Sequence, residues 1–259
     1  MNNSETSSYP QYRYPCGLAA GFVFDLLFLR QRSFHADAQA CIRLLKPGLK
    51  ILGAENIPEH GPALITFNHY YRRGFHAWWL ALAVAAVVPQ EIHFGMTGEL
   101  TYPGKWYAPL GKVGSRWLLR RLSKIYGLTR MPPMPPRRGD VEARAGSVRA
   151  LLRYARKHPQ GILALSPEGG DNPPSGELAR PPQGVGRFVS LLAGKGFPIV
   201  PAGAYEQEGK LCLQFGPAYR LEIPPNLNPD EVDVYATQVL MAAIAAQIPA
   251  SLRGEFANG

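Results

Sequence analysis

Three cysteines in 259 residues, Cys16, Cys41 and Cys212, are too few, too widely spaced and odd in number to make a disulfide scaffold or a paired metal-ligand set. A reducing compartment is the natural expectation. No H-E-x-x-H run occurs, and His60, His76 and His93 have no spacing that suits a metal, so no metal site is expected. The G-x-S-x-G elbow of serine hydrolases is also missing, and Ser166 has no signature of a nucleophile. There is no tandem repeat, which excludes solenoids and propellers. The longest apolar stretches, CGLAAGFVFDLLFLR (16–30, interrupted by Asp25) and HAWWLALAVAAVV (76–88), fall short of the roughly 20 residues needed to span a bilayer. HADAQA (35–40) loosely resembles a signal-cleavage site, but no basic start and clean apolar core precede it.

The most informative absence is of acid. Between Lys105 and Arg138 lie Lys112, Arg116, Arg120, Arg121, Lys124, Arg130 and Arg137, with no Asp or Glu among them. That one stretch accounts for the whole formal net charge of +9. Such a field attracts phosphate, on a nucleic acid, an anionic lipid headgroup or a small substrate; a solvated basic face is the plainer alternative. No nucleic-acid partner is expected: there is no recognised binding module, and the arginines alternate with bulky apolar residues that would sit against protein or lipid.

The remaining sequence reads as strands alternating with helices. ALITF (63–67), EIHFGMTG (91–98), ILALS (162–166), FPIVPAGAY (197–205) and KLCLQFGPA (210–218) are the strand candidates, the last two as a hairpin around EQEG, with a further short strand before Gly53. Helices are expected at 16–30, 76–88, 115–127, 142–161, 187–196 and 229–249. In 115–127, Trp117, Leu118, Leu122 and Ile125 share one side, and Arg116, Arg120, Arg121 and Lys124 largely the other. This order predicts an α/β fold: one layered domain with a mixed, mostly parallel sheet flanked by helices. Residues 1–40 form a polar tail and an apolar helix that lies at a membrane or covers a groove, and residues 41–259 the α/β domain with its closing helix.

Two strand ends carry candidate chemistry. FNHYYRRGFHAWW (67–79) delivers His69 directly after an apolar strand, where a neutral imidazole can take a proton. SPEGGD (166–171) delivers Glu168 to a turn opened by Gly169 and Gly170, small residues that leave backbone N–H groups open to an anion. Each has a plainer reading, as a structural histidine and an ordinary tight turn.

Taken together and in order, Asn68-His69, the basic segment 115–130, Pro167-Glu168-Gly169 and Pro198-Ile199-Val200-Pro201 resemble the glycerolipid (lysophosphatidic-acid-type) acyltransferase family over roughly residues 41–218. The resemblance implies a glycerol-3-phosphate acyltransferase-like fold and a role in phospholipid biosynthesis. His69 would be the general base for acyl transfer from a thioester to a glycerolipid hydroxyl. Glu168 would be catalytic beside His69 and would also, with Gly169 and Arg130, hold the acceptor phosphate, with Arg72, Arg73 and Arg187 supplying further positive charge. It also implies acyl-CoA or acyl-acyl carrier protein as donor with no bound cofactor, and a lysophospholipid or related acceptor. Acyl carrier protein would then be a partner, and the location an anionic membrane surface, peripheral or monotopic, on the cytoplasmic side. The chain departs from the pattern where the family has an aspartate four residues after the histidine: Gly74 stands there. Asp171 or Glu99 would have to take the place of that carboxylate, or His76 share the role. Otherwise the protein is a catalytically impaired, lipid-binding homologue.

Overall fold

The computed structural model describes residues 9–102, 104–134, 137–170 and 175–257. Its organising element is β2 (Ala63–Phe67), in which every residue is buried. A strand buried on both faces sits inside a covered sheet, and among the described residues β2 lies at the centre of seven strands. From one edge to the other the order is β1 (Lys50–Leu52), β7 (Lys210–Phe215), β6 (Ile199–Gln207), β2, β5 (Ile162–Leu165), β3 (Ile92–Thr97) and β4 (Thr129–Met131). All neighbours are parallel except β6 and β7. These two form the expected hairpin, turning at Glu208 and Gly209, both at positive φ (52° and 71°), the handedness that matches strand twist.

The helices are α1 (Cys16–Phe28), α2 (Phe34–Ile42), α3 (Trp78–Val87), α4 (Ala108–Ile125), α5 (Val141–Lys157), α6 (Val185–Ala193) and α7 (Pro229–Ala245). They flank the sheet: α2 packs on α3, α6 on both α5 and α7, and α7 on β6 and β2. In α7, Asn228 accepts the amides of Asp230 and Glu231 while Glu231 reaches back to the Asn228 N–H, which closes the first turn reciprocally.

Three elements differ from the sequence expectation. Helix α2 is additional, a nine-residue helix capped by the Ser33 side chain. Strand β4 is three residues long at a sheet edge, too short to show an alternation. Helix α4 starts at Ala108, seven residues before 115. Pro109 suits a first turn, and Gly111 and Gly114 mask the apolar period. The longer helix also has a different inner face. Ser115, Leu119, Ser123 and Ile125 are buried, while Trp117 turns outward with Leu110 and Val113. Helix α1 lies against α4, and Arg121 Nη1 donates to the carbonyls of Leu26 and Leu27 at its C-terminus, both at 2.8 Å. Among the described residues, no helix is long and apolar enough to cross a membrane.

Candidate functional site

The parallel strands β2 and β5 run side by side with Thr66 opposite Leu165, so their exits bring Asn68-His69 and Ser166-Pro167-Glu168 to the same edge of the sheet. This is where a parallel sheet leaves backbone groups without ladder partners, and side chains take them up. Asn68 is fully buried and continues the pairing of β2 with β6 through its amide: Nδ2 donates to Ala204 O at 2.9 Å and Oδ1 accepts from Ala204 N at 2.7 Å. His69 N–H donates to Glu168 Oε1 at 2.6 Å, and the second carboxylate oxygen accepts from Ala179 N at 2.7 Å. Glu168, 4% exposed, therefore ties three segments together: the histidine loop, its own turn and the chain entering α6. The turn closes through Gly169 N–H to Ser166 O at 3.2 Å, with Gly169 at φ 72° and packed on Met134. Among the described residues, buried Ser166 Oγ has no hydrogen-bond partner.

Beyond His69 the loop is gripped again. Arg72 forms a two-pronged ion pair with Glu206, through Nε to Oε2 and through Nη2 to Oε1 at 2.8 Å. Tyr12 Oη also donates to Glu206 Oε1 at 2.7 Å, and Tyr70 Oη to Oε2 at 3.4 Å. Burial, and then the adjacent carboxylate, push the Tyr70 hydroxyl up to about 12 and raise that of Tyr12 further. The Arg72 guanidinium is likewise raised by its bond to Glu206.

Another buried carboxylate stands at the exit of β3, the strand next to β5. Glu99 follows β3, is 4% exposed, and accepts from Arg116 Nε of α4 at 2.5 Å and from Arg137 Nη2 at 2.8 Å. The two arginines hold its carboxyl below the ordinary range although burial opposes them. One carboxylate between two guanidiniums leaves one net positive charge, and both arginine side chains are about half exposed (58% and 43%).

No family model and no curated protein matches the chain. A crystal structure of the 1-acyl-sn-glycerophosphate (LPA) acyltransferase PlsC from Thermotoga maritima is similar over 88% of this chain and 89% of its own, with 13% sequence identity and a TM-score of 0.49.

The other residues expected at the site are dispersed. Arg130 lies exposed in mid-β4, its carbonyl accepting from Ser147 Oγ at 2.7 Å. Arg73 is exposed beside the histidine loop, and Arg187 on α6 approaches Asp230 at 3.9 Å. Asp171 lies outside the described residues. Glu99 points its oxygens at arginines, and His76 stacks on Trp78 with ring centroids 4.3 Å apart. His93 bonds Thr129 Oγ1 at 2.8 Å and is held neutral down to about 4, by burial first and the nearby His158 second. Among the described residues, no three His, Cys, Asp or Glu side chains are grouped to hold a metal ion. Sequence reasoning missed Glu206, Arg116 and Arg137. The first is silent in sequence because its partner Arg72 is 134 residues away.

Proposed function

We infer that the protein transfers an acyl group from a thioester, of coenzyme A or of acyl carrier protein, to the hydroxyl of a lysophospholipid or related glycerolipid. The observation that carries this reading is the Glu168 carboxylate, which joins the two motif-bearing loops by accepting the His69 amide. His69 acts as general base: the imidazole takes the acceptor's hydroxyl proton as the oxygen attacks the thioester carbonyl. The carbon–sulfur bond then breaks, and the imidazolium returns the proton to the leaving thiolate, giving ester and thiol. No covalent acyl-enzyme is required.

Glu168 acts here as the frame, since both its oxygens hold backbone amides. Arg116 and Arg137, pre-oriented by Glu99, offer their remaining N–H donors to the acceptor phosphate, with Arg130, Arg73 and Arg187 supplying long-range attraction. Arg72 is committed to Glu206. The exposed Phe24, Leu27 and Phe28 of α1 and Trp106, Leu110, Val113 and Trp117 at α4, together with the basic residues of α4, suit the interface of an anionic bilayer, where a lipid acceptor would be met.

A second reading, a lipid-binding protein without turnover, is favoured by Gly74. The experiment that separates them is transfer from a radiolabelled acyl thioester to a panel of phosphorylated and neutral glycerolipids. His69→Ala should lower turnover by about 10²–10⁴-fold with its unfolding midpoint unchanged. Arg116→Met should raise KM about tenfold for phosphorylated acceptors and leave neutral ones unaffected. Lipid binding without transfer to any acceptor would establish the second reading.

A further inference from the structure

We propose that Glu206 is the positioning residue that replaces the carboxylate missing after His69, acting on the histidine's loop and not on its ring; this deepens, and rests on, the acyl-transfer reading. Residues 68–77 connect β2 to α3 without regular structure, yet they are tied twice to the end of β6. The register Phe67 opposite Ala202 is continued by Asn68 on the backbone of Ala204 and then by Arg72 on the side chain of Glu206. His69 thus lies between two docking points on one strand, with its own N–H fixed from the third side by Glu168.

The grip on Glu206 is stronger than a surface ion pair. Its side chain is 2% exposed and receives a bidentate guanidinium and two phenols. A carboxylate so enclosed has little freedom to move, and a bidentate, partly buried guanidinium does not leave it cheaply. The contacts extend to the segment that precedes α1. Arg72 lies over the Tyr9 ring at 3.8 Å, Tyr12 meets Phe75 edge-on at 5.5 Å, and Tyr14 stacks on Trp79 at 4.9 Å. Within the loop, Phe75 N–H donates to Arg72 O at 3.0 Å and Arg72 Nη1 to Arg73 O at 3.1 Å, forming a tight turn whose third residue is Gly74 at φ 81°. Glycine at position 74 therefore serves the backbone geometry of the turn, and the anionic anchor comes from β6. A base held in a loop loses rate steeply when its placement drifts by an ångström.

The test is a double-mutant cycle of Glu206→Gln and Arg72→Met in the full chain, read as kcat and KM and as the rate of carbethoxylation of His69 followed by mass spectrometry. Each single variant should lower kcat about tenfold or more with KM within about twofold, and the double variant should lose no more than either single one. Glu206→Asp should recover part of the loss. Tyr12→Phe, which keeps the ion pair, should fold normally and lower kcat only about two- to fivefold, so the proposal stays testable if the charge variants do not fold. Unchanged kcat in folded variants, or additive losses, would overturn it. If the wild type transfers no acyl group, the carbethoxylation rates decide: a change of about threefold or more at His69 in the variants supports the positioning role, and wild-type rates overturn it.

Discussion

Glu168 and Glu99 follow neighbouring strands of one sheet, are equally buried at 4% exposure, and use their oxygens in opposite ways. Glu168 accepts two backbone amides, so its charge is spent holding loops. Glu99 accepts two guanidiniums that themselves reach solvent, so its charge serves to orient cations and leaves one positive charge over. The difference assigns the two corners different work. The β5 exit fixes the geometry of the proposed base, and the β3 exit presents two half-exposed guanidiniums with one positive charge in excess. Glu206, on the other side of β2, combines both uses, since it orients a cation, Arg72, and through that cation holds the loop that carries His69.

The comparison breaks most visibly at Glu168. Glu168→Ala strands the amides of His69 and Ala179, and it should cost about 3 kcal/mol in urea unfolding and abolish acyl transfer together with the His69 loop order. A loss below about 1 kcal/mol would mean that other contacts hold the two loops. Glu99→Gln should cost less, about 1 kcal/mol, because its arginines are half solvated. This loss should depend on pH in a defined direction. The folded carboxyl of Glu99 lies below its unfolded value, so its contribution is complete above the ordinary carboxylate range and disappears as pH falls through the folded value. The stability gap between wild type and Glu99→Gln should therefore close between neutral and strongly acidic pH. A gap independent of pH would show that Glu99 acts by packing alone.

How much of this was visible in the sequence follows the distance over which each signal acts. ALITF and ILALS read as strands because each is a short run in which all but one residue is apolar, and the Glu208-Gly209 hairpin because its turn chemistry is local. His69 and Glu168 were placed correctly at strand exits, but nothing local says that Glu168 would turn to the histidine's backbone. The α4 error is of another kind. Within 115–127 amphipathicity groups Trp117 with Leu118, Leu122 and Ile125 on one side, yet Ile125 is buried and Trp117 is exposed beside Leu110 and Val113. Tertiary packing reversed this by burying the small Ser115 and Ser123. Arg72 shows the same limit: beside His69 it reads as a free cation, and only folding brings Glu206 to it.

The smallest effect is expected at Gly74. If a missing carboxylate limited the rate, Gly74→Asp would raise turnover. The structure argues otherwise. Gly74 sits at φ 81°, where a side chain is strained by up to about 1 kcal/mol, and a Cβ there would meet only Arg72 Nη1, at 3.9 Å, so space is not the obstacle. A new carboxylate would lie next to the guanidinium that Glu206 already holds, and would compete for Arg72 more readily than it would serve the imidazole. Gly74→Asp should therefore lower the unfolding midpoint slightly and leave kcat within about twofold of wild type or below it. A severalfold gain would place the limiting carboxylate at position 74 after all, and would reduce Glu206 to a loop anchor without a part in the chemistry.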